Sequence, residues 1–326
     1  MGIGNAIVDV IAHVDDGFID ANGLNKGIMT LIDADRAPTQ TRRGDASGAG
    51  SLGGSAANTM AGVASFGGSV AYVGKVRQDQ LGEVFRHDIR AVGVHYEQDL
   101  SGNGLPTARC LILVTPDAER TMNTFLGISS LLEPDDVRED LVAAGRVIYC
   151  EGYLWDVDSA KAAIRKAMAI GKANGAKVAL TLSDTFCVDR HRAEFLHLVE
   201  HDVDIVFANE AEICSLYETD DVEQAMGRVR GTPRSPASPA APGLGHPHTD
   251  QVVTVPSWST GTVVDTTGAG DLYAAGFLHG LTSGKDLFTS GWYGSVAAGE
   301  CISHTGPRPE RRLADLVTSV PVPARV

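Results

Sequence analysis

No apolar run of about 18 residues occurs in this sequence, so a membrane-spanning helix is not expected. No cluster of Lys and Arg occurs either. The 27 basic side chains against 41 acidic ones leave a net charge of −14, so neither nucleic acid nor an anionic membrane is an expected partner. The five cysteines (Cys110, Cys150, Cys187, Cys214, Cys301) contain no C-x-x-C pair. They read as reduced core thiols of a cytoplasmic protein rather than as disulfides or a zinc site. The opening Met1-Gly2-Ile3-Gly4-Asn5 has neither the basic nor the apolar region of a secretory signal.

Familiar catalytic signatures are missing too. Gly68 to Lys75 is one residue too long for a Walker loop, and Val76 stands where Ser or Thr is needed. Ile7 stands where a Rossmann fingerprint starting at Gly2 needs its third glycine. No Gly-x-Ser-x-Gly occurs. His197 and His201 have a metal-ligand spacing, but Leu198 follows His197 where a zinc protease has Glu. A solvated helix face accounts for that pair.

What is present suits one large α/β domain: 326 residues, 43% of them hydrophobic. Ala6–Ala12 reads as a strand broken by Asp9, and Ile28–Ile32 as another within a polar stretch over 13–52. A small-residue helix follows over Ser55–Ser65, then a strand over Val70–Val76 and a helix over Asp79–Ala91. Thr107–Val114 and Glu119–Phe125 are strand-like. Strands at Val147–Cys150, Val178–Leu182 and Ile205–Ala208 then alternate with helices at Ser159–Ala173 and around Ala193–Val199. Such alternation predicts a parallel sheet covered on both faces.

Residues 231–250 interrupt this texture with five prolines and almost no large apolar side chain. Proline donates no ladder hydrogen bond, so a structureless, protease-sensitive excursion is expected there rather than a central strand.

The segment Asp265-Thr266-Thr267-Gly268-Ala269-Gly270-Asp271 precedes the helical pattern Leu272, Ala275, Phe277, Leu278, Leu281, which Gly284 closes. Its glycines admit a ligand to the backbone, and a helix N-terminus attracts anions. Asp271 adds a carboxylate that the dipole should keep ionised at neutral pH. An anion site plus a base is what phosphoryl transfer to a hydroxyl requires. A tight turn with a dipole-matched aspartate is the plain alternative.

Gly53-Gly54-Ser55-Ala56-Ala57-Asn58 opens another helix. It is either a packing turn or a place where Gly54 lets a ligand approach and Asn58 bonds a hydroxyl. Asp9 is either a satisfied strand-end carboxylate or the partner of a ligand's diol. Asn209-Glu210-Ala211-Glu212 follows the strand at Ile205, where α/β sheets bind ligands. Its oxygens either hold Mg²⁺ through water or form an acidic first helical turn.

Taken together, these motifs resemble the ribokinase-like (PfkB) family of sugar and nucleoside kinases, over most of residues 4–308. The Gly53–Asn58 signature, continued by Gly67-Gly68, Gly74, Asp79 and Gly82, and the Asp265–Asp271 signature are similar to the family's two. Gly4-Asn5-Ala6-Ile7-Val8-Asp9 and Arg120-Thr121-Met122-Asn123 resemble its adenosine kinase branch.

The resemblance implies a single doubly wound, mostly parallel α/β domain over 1–326, with a small β lid from about 12–52 and 97–126. It implies a kinase, monomeric or homodimeric, that phosphorylates the 5′-hydroxyl of adenosine or a similar nucleoside. ATP and Mg²⁺ are implied, with a monovalent cation such as K⁺. Asp271 would be the base, and Gly268, Ala269 and Gly270 the anion hole. Asn5, Asp9, Gly54, Asn58 and Arg120 would hold the substrate, Arg120 offsetting charge. Asn209, Glu212, Thr266, Gly268 and Gly270 would face the nucleotide, with Glu212 reaching the metal through water.

Two departures stand out. The chain starts at the end of the family's first strand, which is expected to lack residues. Residues 231–250 replace a strand and a Thr-x-Gly-x-x-Gly-like turn on the ATP side, so weak ATP binding is expected. A sugar kinase specificity, or an impaired nucleoside-binding relative, are the alternatives.

Overall fold

The structure, a computed structural model, describes residues 1–33, 51–117, 119–230, 244–246 and 249–325. In chain order the strands are β1 (Gly2–Ile3), β2 (Ile7–His13), β3 (Met29–Leu31), β4 (Ser51–Gly53), β5 (Tyr72–Val73), β6 (Ala108–Val114) and β7 (Arg120–Phe125). They continue with β8 (Val147–Glu151), β9 (Lys177–Thr181), β10 (Ile205–Phe207), β11 (Leu244–His246) and β12 (Thr249–Val253). The helices are α1 (Asp16–Ala21), α2 (Ser55–Ser65), α3 (Gln80–Ala91), α4 (Glu139–Ala143), α5 (Asp158–Ala173) and α6 (Thr185–His201). Then come α7 (Glu210–Tyr217), α8 (Val222–Arg230), α9 (Ala269–Thr282), α10 (Leu287–Cys301) and α11 (Leu313–Ser319).

The main sheet runs β10-β9-β8-β1-β5, all parallel. Its strands are buried on both faces; every residue of β8 is buried, which is why Val147–Glu151 reads as a continuous apolar run ending in an acid. One core, with Tyr149, Phe207 and Phe277, lies under α2, α9 and α10. The other, with Ile148, Trp155, Leu180 and Phe195, lies under α5 and α6.

The second sheet runs β3-β7-β6-β2-β4. Here the pattern has period 2. In β2, Val8, Val10 and Ala12 are buried while Ile7, Asp9 and Ile11 are half-buried. The outer face packs Val10, Ala12, Leu111 and Leu113 onto Ile19 of α1. The segments expected to form the lid supply β3, β4, β6 and β7, whereas β2 comes from 7–13.

The apolar run Ala6–Ala12 supplies β2 of the second sheet, while the main sheet takes the two-residue β1, seated between β5 and β8. Two differences from the sequence reading concern backbone. The expected strand over Val70–Val76 shortens to Tyr72–Val73. In the segment expected to be structureless, 244–246 pairs antiparallel with 249–253. This is a correction with a simple cause: all five prolines (233, 236, 239, 242, 247) fall outside those two strands, so the backbone donors the pairing needs are present. Residues 231–243 and 247–248 lie outside the described residues.

Candidate active site

The site starts from a close helix–helix contact. A Cβ on Gly62 of α2 would come within 2.6 Å of the Ala275 Cβ of α9. Only a small-residue stripe lets these helices approach so closely. Their first turns therefore meet, and the Asp271 carboxylate accepts from Ser55 Oγ at 2.6 Å and from Asn58 Nδ2 at 3.1 Å. Because the carboxylate can only accept, it fixes the Asn58 amide and turns Asn58 Oδ1 the other way. That oxygen is buried without a partner.

Burial pushes Asp271 up to about 6, against the pull of the Ser55 and Asn58 hydrogen bonds. The dipole argument predicted a readily ionised acid. Asp271 is still ionised at neutral pH, but desolvation, not the dipole, sets the direction of its shift.

The glycine loop is held from several sides. Asp265 accepts from the Thr267 N–H (3.1 Å), Thr267 Oγ1 (2.8 Å) and the Gly306 N–H (2.8 Å). Arg120 of β7 ion-pairs with it at 2.7 Å. Burial alone would raise Asp265, but these hydrogen bonds and the Arg120 charge outweigh it and hold the acid below its usual range. Gly268 takes φ +80°, and a Cβ there would strike Pro307 at 2.6 Å. Around Gly270, nothing lies within 4 Å of where a Cβ would be. The Ala269 N–H, expected in the anion hole, donates to the Thr266 carbonyl at 3.2 Å. Turn closure takes that donor. Thr266 itself is exposed.

A cavity of about 290 Å³ opens onto Asp271. The polar groups on its lining include Asn5, Asp9, Ser55, Asn58 and Asp271, with Gly54 among them. Sheet register builds its roof. Asp9 stands opposite Cys110, Cys110 opposite Thr124, and Thr124 opposite Leu31, so one row crosses four strands. The neighbouring row carries Ile112, Met122 and Met29. The roof is accordingly apolar, with Leu126 beside it. Burial pushes Asp9 up to about 7, while the charges of Arg308 and Arg120 pull the other way.

The sequence-predicted residues divide. Asp9, Gly54, Asn58, Asp271 and Asn5 converge on the cavity. Asn5, however, is engaged: its Nδ2 donates to Glu151 Oε1 at 3.0 Å and its Oδ1 accepts from Ser129 at 2.9 Å. Asn58, expected to hold a ribose hydroxyl, donates to Asp271. Arg120 is on Asp265. Asn209 and Glu212 close a reciprocal capping box: the Asn209 N–H donates to Glu212 at 3.2 Å and the Glu212 N–H to Asn209 Oδ1 at 2.8 Å. They do not line the cavity. Burial raises Glu212 to about 7, and the Asp271 charge adds to that shift. Among the described residues no group of three or more His, Cys, Asp or Glu could hold a metal. His197 and His201 stack at 4.5 Å between ring centroids.

Sequence reasoning missed Glu151. It lies at the carboxyl end of β8, is buried, and its Oε2 caps α2 by accepting the Ala56 N–H at 2.9 Å. Burial pushes it up to about 7. The strand-end rule applied to Asn209 would have found it. Ser55 lies inside the Gly53–Asn58 motif but was given no role, and Pro307 and the residues of the rim (Asp156, Asp184, Phe186, Arg190) were missed because no local pattern marks them.

The pfkB family carbohydrate kinase pattern matches residues 27–312. The chain is 49% identical to the solved adenosine kinase of Sinorhizobium meliloti, with a TM-score of 0.89 over 98% of both chains. It is 46% identical to a probable sugar kinase from Rhizobium etli CFN 42, with a TM-score of 0.89 over 98% of this chain and 97% of that one. Among curated proteins, Saccharomyces cerevisiae adenosine kinase is 28% identical over 94% of this chain and 95% of its own length. Among the described residues no helix is long and apolar enough to cross a membrane.

Proposed function

The chain belongs to the pfkB family of carbohydrate kinases, phosphotransferases acting on an alcohol group, and on that premise we propose that it phosphorylates the 5′-hydroxyl of adenosine or a close nucleoside. The observation that carries this reading is the Asp271 carboxylate, held by Ser55 and Asn58 at a helix N-terminus and facing a cavity with an apolar roof. A bare sugar offers far less apolar surface to bury against Met29, Leu31, Ile112 and Met122 than a purine does.

In the proposed reaction Asp271 takes the proton of the hydroxyl as its oxygen attacks the γ-phosphorus of ATP, and ADP leaves. The N–H groups of Gly268 and Gly270 stabilise the transferring phosphoryl group. Asp9 and Asn58 Oδ1 accept hydrogen bonds from ribose hydroxyls. Mg²⁺ would neutralise phosphate charge, held mainly by the phosphates; Glu212 could reach it through water only by loosening its bonds to Asn209. A monovalent cation such as K⁺ belongs to the same proposal. A coupled kinase assay across nucleosides and sugars tests the reading; turnover of ribose or fructose but of no nucleoside refutes it.

The pH profile has a definite sign. A base raised to about 6 is lost as pH falls through 6. With Asp9 raised to about 7, grip on the diol weakens from a higher pH. Nucleoside KM is therefore expected to rise first, below about pH 7, and kcat to fall about tenfold per unit below about 6. A kcat flat down to pH 4.5 would contradict the assignment.

At pH 8, where Asp9 is ionised, Asp9→Ala is expected to weaken adenosine binding by roughly 1.5–3 kcal/mol, the range for hydrogen bonds to a charged group. 2′-Deoxyadenosine should lose part of the same energy with the wild type. Equal titration curves for the ribose and deoxyribose nucleosides would return Asp9 to a purely structural role.

A further inference from the structure

Phe186 lies on the rim of the cavity and is 61% exposed. A ring so open to water normally turns freely, yet this one is held. The Arg190 guanidinium sits 4.2 Å above its centroid. Arg190 is itself locked by a two-pronged bond to Asp156, Nε to Oδ1 at 3.0 Å and Nη2 to Oδ2 at 2.9 Å. The same carboxylate meets His191 Nε2 at 2.6 Å.

Two backbone irregularities serve this arrangement. Ser183, before the ring's helix, takes φ +74°, rare for a residue with a side chain. Tyr153 holds it there, donating its N–H to Ser183 Oγ and its hydroxyl to the Ser183 carbonyl, both at 3.2 Å. His191 departs from helical geometry inside α6, at φ −121° and ψ 17°. The departure occurs at the residue whose ring reaches Asp156, and that ring packs on Phe195 of the core.

An exposed ion pair is worth little on its own. Here one carboxylate orients a planar fork and an imidazole at once, and the fork faces a ring at the mouth of a binding cavity. We propose that Asp156, Arg190 and His191 are positioning residues that hold Phe186 flat at the cavity mouth, so that the site selects acceptors carrying a planar heteroaromatic ring. The inference rests on the nucleoside reading above and adds a device for base selection outside the catalytic groups. Arg190 sets its guanidinium carbon over the ring, and its Nε and Nη2 donors are spent on Asp156. Phe186 offers a π-face and no hydrogen-bonding group, so the selection is for flatness rather than for a particular base edge.

The test is calorimetric titration, without ATP, of wild type, Phe186→Ala, Arg190→Ala, Asp156→Asn and the Phe186→Ala/Arg190→Ala double variant. The probes are adenosine, inosine, uridine and ribose. Phe186→Ala is expected to raise the Kd of whichever nucleosides bind by about tenfold, as loss of a stacking face does. Arg190→Ala and Asp156→Asn should each raise it about three- to tenfold. The double variant should be no weaker than Phe186→Ala, since the arginine acts only through the ring. Under turnover the effect should fall on KM rather than kcat. Arg190→Met keeps the stem's packing and serves if the alanine variant melts early. An unchanged Kd in Arg190→Ala and Arg190→Met, or additive losses in the double variant, overturns the proposal while leaving adenosine phosphorylation intact. If the wild type binds inosine or uridine but not adenosine, and the variants weaken that binding, the adenosine reading fails and the positioning role stands. If ribose alone binds, both fail.

Discussion

Asp271→Asn is expected to lower kcat by about 10² or more, the scale of general-base catalysis, with little change in nucleoside affinity. The geometry makes this a chemical loss rather than a structural one. The substituted amide still accepts from Ser55 Oγ through its oxygen. Its new N–H groups face Asn58, whose amide can flip to present the oxygen that now lacks a partner; the Asn58 N–H groups then face the ribose hydroxyl, which accepts as well as donates. The hydrogen bonds survive; the basicity does not.

The same variant should not lose stability at pH 8, and this separates the two roles of the carboxylate. Asp271 is raised from 3.8 to about 6 by burial. A raised carboxylate favours the protonated folded state. Its penalty on folding is fully present above pH 6 and is relieved as pH falls from about 6 toward 4. Removing the charge at pH 8 should therefore be neutral or stabilising, on the order of 1 kcal/mol once partial exposure is allowed for. A thermal melt and a steady-state assay on one preparation suffice. Near-normal turnover would remove Asp271 from the mechanism.

The second large effect is a contrast between two glycines of one loop. Gly268→Ala must place a Cβ 2.6 Å from Pro307 at φ +80°. Backbone strain of about 1–3 kcal/mol, plus the displacement of Pro307, should appear as a lower melting temperature. Gly270→Ala meets nothing within 4 Å and lies in the first turn of a helix, where alanine is favourable. It should melt at or above the wild-type temperature. Yet its methyl group would stand where the transferring phosphoryl group is proposed to approach, and a displacement of about 1 Å there can cost on the order of 10² in rate. Full activity in Gly270→Ala would show that the phosphoryl group does not pass that face.

Much of the site was legible because chemistry forced local patterns. A glycine loop before an apolar helix predicted the start of α9, and Asp271 in its first turn follows from the spacing. Ser55–Ser65 was readable as a helix of small residues, and the structure shows why they are small: Gly62 has Ala275 of the facing helix against it. Asp9 was readable as an acid breaking an apolar strand. What local pattern could not supply was partnership. Asn209 and Glu212 match a ligand-binding spacing, but three residues on a helix start are also the spacing of a capping box, and the structure closes them on each other. Ala269 is in the loop, yet turn closure takes its N–H.

The sequence by itself determined the parts whose physics is local: the strand-like runs over 107–114 and 119–125 that supply the roof, and the glycine loop that starts α9. The tertiary structure decided everything that depends on residues far apart in the chain. Asn58 and Asp271 are separated by 213 positions and meet only because two helices cross closely. Glu151 binds Asn5 and Ala56 from a third element, and the shift of Asp271 follows from burial rather than from its place on a helix. Phe186, Arg190 and Asp156 carry no motif at all. Their arrangement exists because the β8 and β9 strand ends lie side by side in a parallel sheet, and a one-dimensional pattern does not encode that adjacency.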